Sequence, residues 1–386
     1  MQERKRLLIC GGGHASLPAI KMGKHWQKHG LEVLLVSAHP YLYYSGAVPQ
    51  YLGGFFEEDE AQIDLERLCH NYGTSFICAS VTEVDAEAQT VVISSGKQLH
   101  WDYLFINTGV RSRNSNYDHA HYFPVKPMQR LVKLSGMLES TAAAGLKILI
   151  LGGGAAGCEI ALNLSVSNHK NIRSVTLFEA DDRILSSFPE RLSAVVRRAL
   201  AENRVSISCK RKIAGDEISQ LMSDYDIVID ASGNMPETER IKHGLTTDES
   251  GRIRVHQTLQ SADYPNIFAA GDCALVGESG YMPVGVHAVK QGALFRDVMD
   301  AILRGSALPA YKPWPATPLI LSQGQSRGFF VSGKLVFSGR WCIILKYMLD
   351  MNWLEKYTLP RSERRSWFRL IYDGFTRTKK AKPPQS

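Results

Sequence analysis

One local pattern occurs twice in this 386-residue chain, and few folds accommodate it. Leu7 to Cys10 is a short apolar run that leads into the glycine loop Gly11–Gly13. A helix-compatible stretch then runs to about Lys28, and the apolar run Val33–Val36 closes the unit. Ile148–Leu151, the loop Gly152–Gly157, a helical segment and Val175–Phe178 repeat it. A strand, a glycine turn, a helix and a parallel strand open a doubly wound sheet. The side-chain-free turn lets the backbone approach a pyrophosphate, which sits on the helix N-terminus. Two such openings predict an α/β protein with two Rossmann-like dinucleotide-binding domains.

The two loops differ in what they offer. The first has Gly11, Gly13 and Ser16 in G-x-G-x-x-G spacing, with Ser16 small enough for helix–strand packing. Its second strand ends at Ser37, where an acidic residue would normally bind a ribose. It therefore reads either as a dinucleotide loop or as a tight turn without a ligand. The second loop has Gly152, Gly154 and Gly157, and its next strand ends at Glu179. A carboxylate there accepts hydrogen bonds from both ribose hydroxyls and repels a 2′-phosphate, which favours NADH over NADPH. Glu159, two residues after the third glycine, either lines the nicotinamide or stabilises a helix dipole.

Charge is distributed unevenly. The whole chain has 45 Lys and Arg against 38 Asp and Glu, a net +7. From Arg361 onward there are eight basic residues against Glu363 and Asp373, a balance of +6, which leaves +1 for the rest. No nucleic-acid partner is expected from so local a basicity. The 341–386 stretch mixes Trp341, Ile343, Leu345, Trp353 and Tyr357 with lysines and arginines. It reads either as a helix in a membrane interface or as a C-terminal helix closing the core. Seven cysteines without CxxC or metal-type spacing predict a reducing compartment, no disulfide framework and no metal site. The first apolar run is too short for a signal-peptide core, and no run of about 18 apolar residues predicts a membrane span. The body is expected in the cytoplasm, peripherally associated with the membrane. Further strands are expected at Ser75–Cys78, Thr90–Ile93, Tyr103–Asn107, Tyr225–Ile229 and Ile267–Ala270. Glu139–Gly145 is expected as a helix end or linker, and Tyr311–Pro318 as a crossing segment.

The first loop, Asn107-Thr108-Gly109, the GGGAAGCE segment, Ala231-Ser232-Gly233 and the IFAAGDCA segment Ile267–Ala274 together resemble the two-dinucleotide-binding-domain flavoproteins. That family includes disulfide reductases, type II NADH dehydrogenases and sulfide:quinone oxidoreductases. The resemblance implies an NAD domain at 126–249 inserted in an FAD domain at 1–125 and 250–325, with a C-terminal interface or membrane-binding segment at 326–386. It implies FAD contacts from Gly11, Gly13, His14, Ala15, Ser16, Ser45, Gly46, Thr108 and Gly109, and from Gly271 and Asp272 of the late GD motif. Gly152, Gly154, Gly157, Glu179 and Gly233 would hold NADH. His14 reads either as a flavin contact or as a solvated helix-start histidine, and Lys126 either as facing the isoalloxazine or as a bare hinge lysine.

GGGHAS, YYSGAVPQYLGG, FPVKPMQR and MPVGVHAVKQG look like the NADH dehydrogenase-like branch. Ala15 to Lys28 contains no cysteine, so the redox pair of a disulfide reductase is missing. Cys158 and Cys273 read more simply as packing residues than as sulfide-oxidising thiols. Type II NADH dehydrogenases carry a two-glutamine quinone motif after the GD segment. Aligned on Gly292, this chain has Val286 and Lys290 there, with Gln291 one residue late. The implied function is an FAD-dependent oxidoreductase that takes hydride from NADH and passes electrons to a second acceptor, with a membrane quinone expected. Glu159, Lys126, Lys290 and Gln291 are its candidate catalytic residues. A sulfide or selenium-compound oxidoreductase, or a redox-sensing flavoprotein, remains the alternative. Expected partners are a quinone or other small acceptor and the inner membrane face through the basic C-terminus, with a homodimer left open.

Overall fold

The computed structural model describes residues 4–139, 145–238, 244–277, 285–314 and 316–380. Parts of four expectations lie outside them: 140–144 of the linker, 282–284 of the MPVGVHAVKQG segment, position 315 of the crossing segment and the tail beyond 380. The chain divides into two compact units.

The first unit comprises Met1–Leu42, Ile63–Val110 and Met235–Pro315. Its five-stranded sheet runs in the order Ile267–Ala269, Tyr103–Ile106, Lys5–Cys10, Leu31–Ser37, Ser75–Cys78. All of the pairings are parallel. Leu7, Leu8, Ile9 and Cys10 are fully buried, so consecutive residues are apolar without alternation, as a strand covered on both faces requires. The helix Gly285–Arg304 covers the sheet through Phe295, which stacks on Phe105 and meets Phe268 edge-on. Trp26 ties a short helix to its far end, its Nε1 donating to Asp300 at 2.6 Å. The stretch expected as one helix to Lys28 is two short ones, Leu17–Ile20 and Gly23–Gln27. Gly23 lies near the break, where a Cβ would stand 2.5 Å from the Thr74 hydroxyl and 2.7 Å from the Tyr72 carbonyl.

The second unit comprises Tyr43–Gln62, Arg111–Asn234 and Ala316–Ser386. Its parallel sheet has the order Tyr122–Pro124, Ile227–Asp230, Leu146–Leu151, Ile172–Phe178, Ser206–Ser208. An antiparallel sheet of Leu319–Gln323, Arg327–Ser332 and Leu335–Gly339 follows, and then the helices Arg340–Thr358 and Trp367–Lys380. Leu321, Phe329, Val331 and Val336 share one core with Ile150, Leu162 and Leu177. Asn163 joins the two parts, its amide nitrogen donating to the Ser322 carbonyl at 3.0 Å and its oxygen accepting from Gly324 N–H at 3.0 Å. The antiparallel sheet of residues 319–339 thus packs with the second glycine-loop unit, as one core. Among the described residues no helix is long and apolar enough to cross a membrane.

Candidate dinucleotide sites

In the first loop Gly11 has φ +100°, and a Cβ there would overlap the Asn107 carbonyl, so only glycine fits. Asn107 closes the loop from the strand beside it. Its Nδ2 donates to Ser16 Oγ at 3.0 Å, while Ser16 Oγ donates to the Gly11 carbonyl at 2.6 Å. A Cβ on Gly13 would stand 2.8 Å from the Asn107 amide nitrogen, and one on Gly271 would stand 2.8 Å from its oxygen. Gly271 N–H donates to Gln291 Oε1 at 2.7 Å. Gly292 lies so close to the loop that a Cβ would stand 2.5 Å from the Ala15 carbonyl. Gly11, Gly13, Ser16 and Gly271 therefore converge around Asn107, with Gln291 bonded to Gly271, Ala15 against Gly292 and Asp272 half-buried in the turn Gly271–Cys273. Thr108 and Gly109 follow directly and bond to Glu237, the hydroxyl donating to its carbonyl at 3.3 Å. Asn107 belongs to the motif quoted above, but its part in closing the loop depends on strand pairing and is invisible in sequence. Ser37 Oγ donates to the His39 carbonyl at 2.9 Å and stabilises its own turn.

The second loop repeats the geometry. Gly152 has φ +95°, and a Cβ would overlap the Ala231 carbonyl, the counterpart of Asn107. A Cβ on Gly157 would overlap the Gly152 carbonyl. At Gly154 nothing stands within 4 Å of a Cβ position, so no protein atom demands glycine there. The helix Ala155–Ser165 starts from Gly154. Glu179 Oε2 accepts from Gly153 N–H at 2.5 Å and Oε1 from Asp181 N–H at 2.9 Å, which fixes the carboxylate at the loop. Gly233 has φ +143° and faces the Arg113 side chain.

Glu159 is buried in a charged network. Its Oε1 accepts from Ser322 N–H at 2.9 Å and Ser322 Oγ at 2.7 Å, with Lys346 Nζ at 3.9 Å. Lys346 donates to Asp350 at 2.7 Å and to the Gly46 carbonyl at 2.6 Å. The Tyr44 hydroxyl donates to Asp350 at 2.8 Å, and its ring stacks on Trp353. Burial pushes the Glu159 carboxyl up, against the opposing pull of Lys346 and Ser322. Burial alone would lower Lys346, but Asp350 and Glu159 outweigh it and hold the ammonium above the usual lysine range. Ser45 and Gly46 belong to this second unit, with the Gly46 carbonyl on Lys346. Lys346 and Asp350 were missed in sequence; the available signal was an i,i+4 charged pair in an apolar stretch.

The other candidates are dispersed. Lys126 pairs backbone to Ser112, its N–H donating to Ser112 Oγ at 3.1 Å. Lys290 Nζ lies 3.9 Å from the centre of the Trp314 ring, and burial lowers its pKa. One turn before Gln291, buried His287 meets the Tyr311 hydroxyl at 2.5 Å. His14 sits half-buried at the start of the turn that Ser16 ends. Cys10, Cys158 and Cys273 are buried, and burial pushes all three thiols up, Cys10 to about 12. Such thiols stay protonated and are poor nucleophiles near neutral pH.

Comparison with known proteins agrees with this architecture. The profile of the pyridine nucleotide-disulphide oxidoreductase family matches residues 5–292. The ferredoxin–NAD(+) reductase component of the p-cumate 2,3-dioxygenase system of Pseudomonas putida is 34% identical over 207 residues, covering 50% of this chain and 48% of that protein. A type II NADH:quinone oxidoreductase of Staphylococcus epidermidis is 22% identical over 395 residues, covering 92% of this chain and 96% of that one. The structure of NDH2 from Plasmodium falciparum in complex with NADH superposes with a TM-score of 0.75 at 14% identity, covering 99% and 100% of the two chains.

Proposed function

Because the chain belongs to the pyridine nucleotide-disulphide oxidoreductase family and is an enzyme using FAD and NADH, we propose that it is a membrane-associated NADH:quinone oxidoreductase. The observation that carries the donor half is the second loop. Its glycine at position 154 is unexplained by any protein contact, and the Glu179 carboxylate is fixed beside it. A pyrophosphate approaching the start of the helix Ala155–Ser165 accounts for the glycine, and the adenosine ribose hydroxyls account for the carboxylate. The first loop suits FAD in the same way, with Asp272 in reach of the turn that Asn107 and Gln291 brace.

Bound FAD supplies the acceptance of hydride and the onward passage of two electrons, so the chain's own residues need only bind, orient and manage protons. Reducing a quinone to a quinol consumes the NADH hydride and one proton from the medium. Glu159 lies just beyond the loop, its carboxyl pushed up by burial and pulled down by Lys346 and Ser322, and its place behind the loop makes it a group that could exchange a proton there.

Two observations support a quinone at the membrane. The similarity to a named NADH:quinone oxidoreductase runs nearly the full length of both chains. The C-terminal helices also expose Trp341 (70%), Phe368 (86%) and Tyr372 (62%) among arginines. The raised thiols of Cys158 and Cys273 weigh against sulfide oxidation. Anaerobic NADH should bleach the bound flavin, and a water-soluble ubiquinone should restore its colour. Bleaching that no quinone reverses, with a persulfide reoxidising the flavin instead, would overturn the acceptor.

A further inference from the structure

The strand pairing that places Glu179 also brings three consecutive cations to the same sheet edge. Lys210-Arg211-Lys212 follows the strand Ser206–Ser208, which pairs in parallel with Ile172–Phe178. Arg211 N–H donates to the Glu179 carbonyl at 2.9 Å, and Lys210 N–H donates to the Asp181 carbonyl at 2.8 Å. The basic run is therefore held backbone to backbone against the end of the glutamate strand, and it cannot drift away from it. Arg211 lays its guanidinium over the Phe178 ring, 3.9 Å from the centroid, one residue before Glu179. All three cationic side chains are exposed.

A nucleotide on the second loop has its adenosine ribose at Glu179. A lone carboxylate there would repel a phosphate on the 2′ oxygen. This carboxylate is not alone: both of its oxygens already accept backbone N–H groups, which offset part of its charge. Three cations stand at the same edge, one of them an arginine whose planar fork matches a phosphate bidentately. We propose that Lys210, Arg211 and Lys212 form a 2′-phosphate subsite, so that this loop takes NADPH as well as NADH. The proposal rests on reading the second loop as the dinucleotide site, and it changes the preference that Glu179 alone implies.

Calorimetric titration of the FAD-loaded full chain with 5′-AMP and with 2′,5′-ADP tests it, because the two differ only in the 2′-phosphate. At low ionic strength 2′,5′-ADP should bind more tightly than 5′-AMP. The advantage should shrink as salt screens the cations. In the combined Lys210→Ser, Arg211→Leu, Lys212→Ser chain the affinity ratio should fall about tenfold. Leucine keeps an apolar contact with Phe178, and Lys210→Ser with Lys212→Ser alone, both at exposed positions, should lower the ratio part of the way. A wild-type ratio at or below one, or a ratio unchanged by the substitutions, would overturn the subsite while leaving the dinucleotide loop intact. Failure of 5′-AMP itself to bind would instead bring down the loop reading, and the subsite with it.

Discussion

Ser16 and Gly157 occupy the same place in the two glycine loops, yet the loops are closed by different means. At the second loop the third position must be glycine, because a Cβ would overlap the Gly152 carbonyl. At the first, the equivalent carbonyl accepts a hydrogen bond from the serine hydroxyl, and that hydroxyl in turn accepts from Asn107. One loop is sealed by close backbone approach and the other by a chain of polar side chains. The carboxylate differs as well: Glu179 bonds to Gly153 N–H, whereas Ser37 spends its hydroxyl on its own turn. The shared motif therefore fixes the backbone path and leaves the chemistry of closure to neighbouring strands.

The largest effect is expected behind the second loop. Lys346→Met leaves Glu159 and Asp350 buried without their cation, which should cost about 3–5 kcal/mol of stability, read by denaturant titration. A loss under about 1 kcal/mol would mean that the network does not support this unit. Next, Gly157→Ala forces the helix start away from the strand and should cost about 1–3 kcal/mol, with NADH affinity reduced and flavin retained. If flavin were lost instead, the assignment of the two loops would have to be exchanged. On the first loop, Asn107→Leu removes the amide that Ser16 relies on and crowds Gly13 and Gly271. It should cost about 1–3 kcal/mol and lower flavin content in the purified protein, measured by absorbance. Full flavin occupancy would show that Asn107 is not what shapes that site.

Much of this was legible in the sequence, for definite reasons. Both parallel sheets were readable because Leu7–Cys10 and Ile148–Leu151 are continuous apolar runs beside glycine turns, a pattern local in the chain. The residues that brace the loops were not, because Asn107, Gln291 and Lys346 act across strand or helix pairings far away in sequence. Gln291 shows the limit well. It was a candidate for acceptor chemistry from its position beside a glutamine motif, yet its carbonyl oxygen is bonded to Gly271 N–H, so in this structure it braces the first loop. Glu159 was left between a nicotinamide contact and a helix-dipole role. Its actual partners, Ser322 and Lys346, come from the antiparallel sheet and the helix that follow residue 316.

Gly154→Ala is the smallest change and the sharpest discriminator. Gly11, Gly152 and Gly157 are glycine because protein atoms forbid anything larger, so substitution there damages fold and binding together. At Gly154 a Cβ meets nothing within 4 Å, and the backbone lies in an ordinary extended conformation. Alanine meets no clash there but is a poorer N-cap than glycine, so stability should fall by only about 1 kcal/mol. If the open space is where a pyrophosphate approaches, the added methyl should raise the NADH KM by about tenfold, the equivalent of about 1.4 kcal/mol. Flavin content should not move if FAD occupies the other loop. An unaltered KM would mean that the space beside Gly154 is not used by the nucleotide.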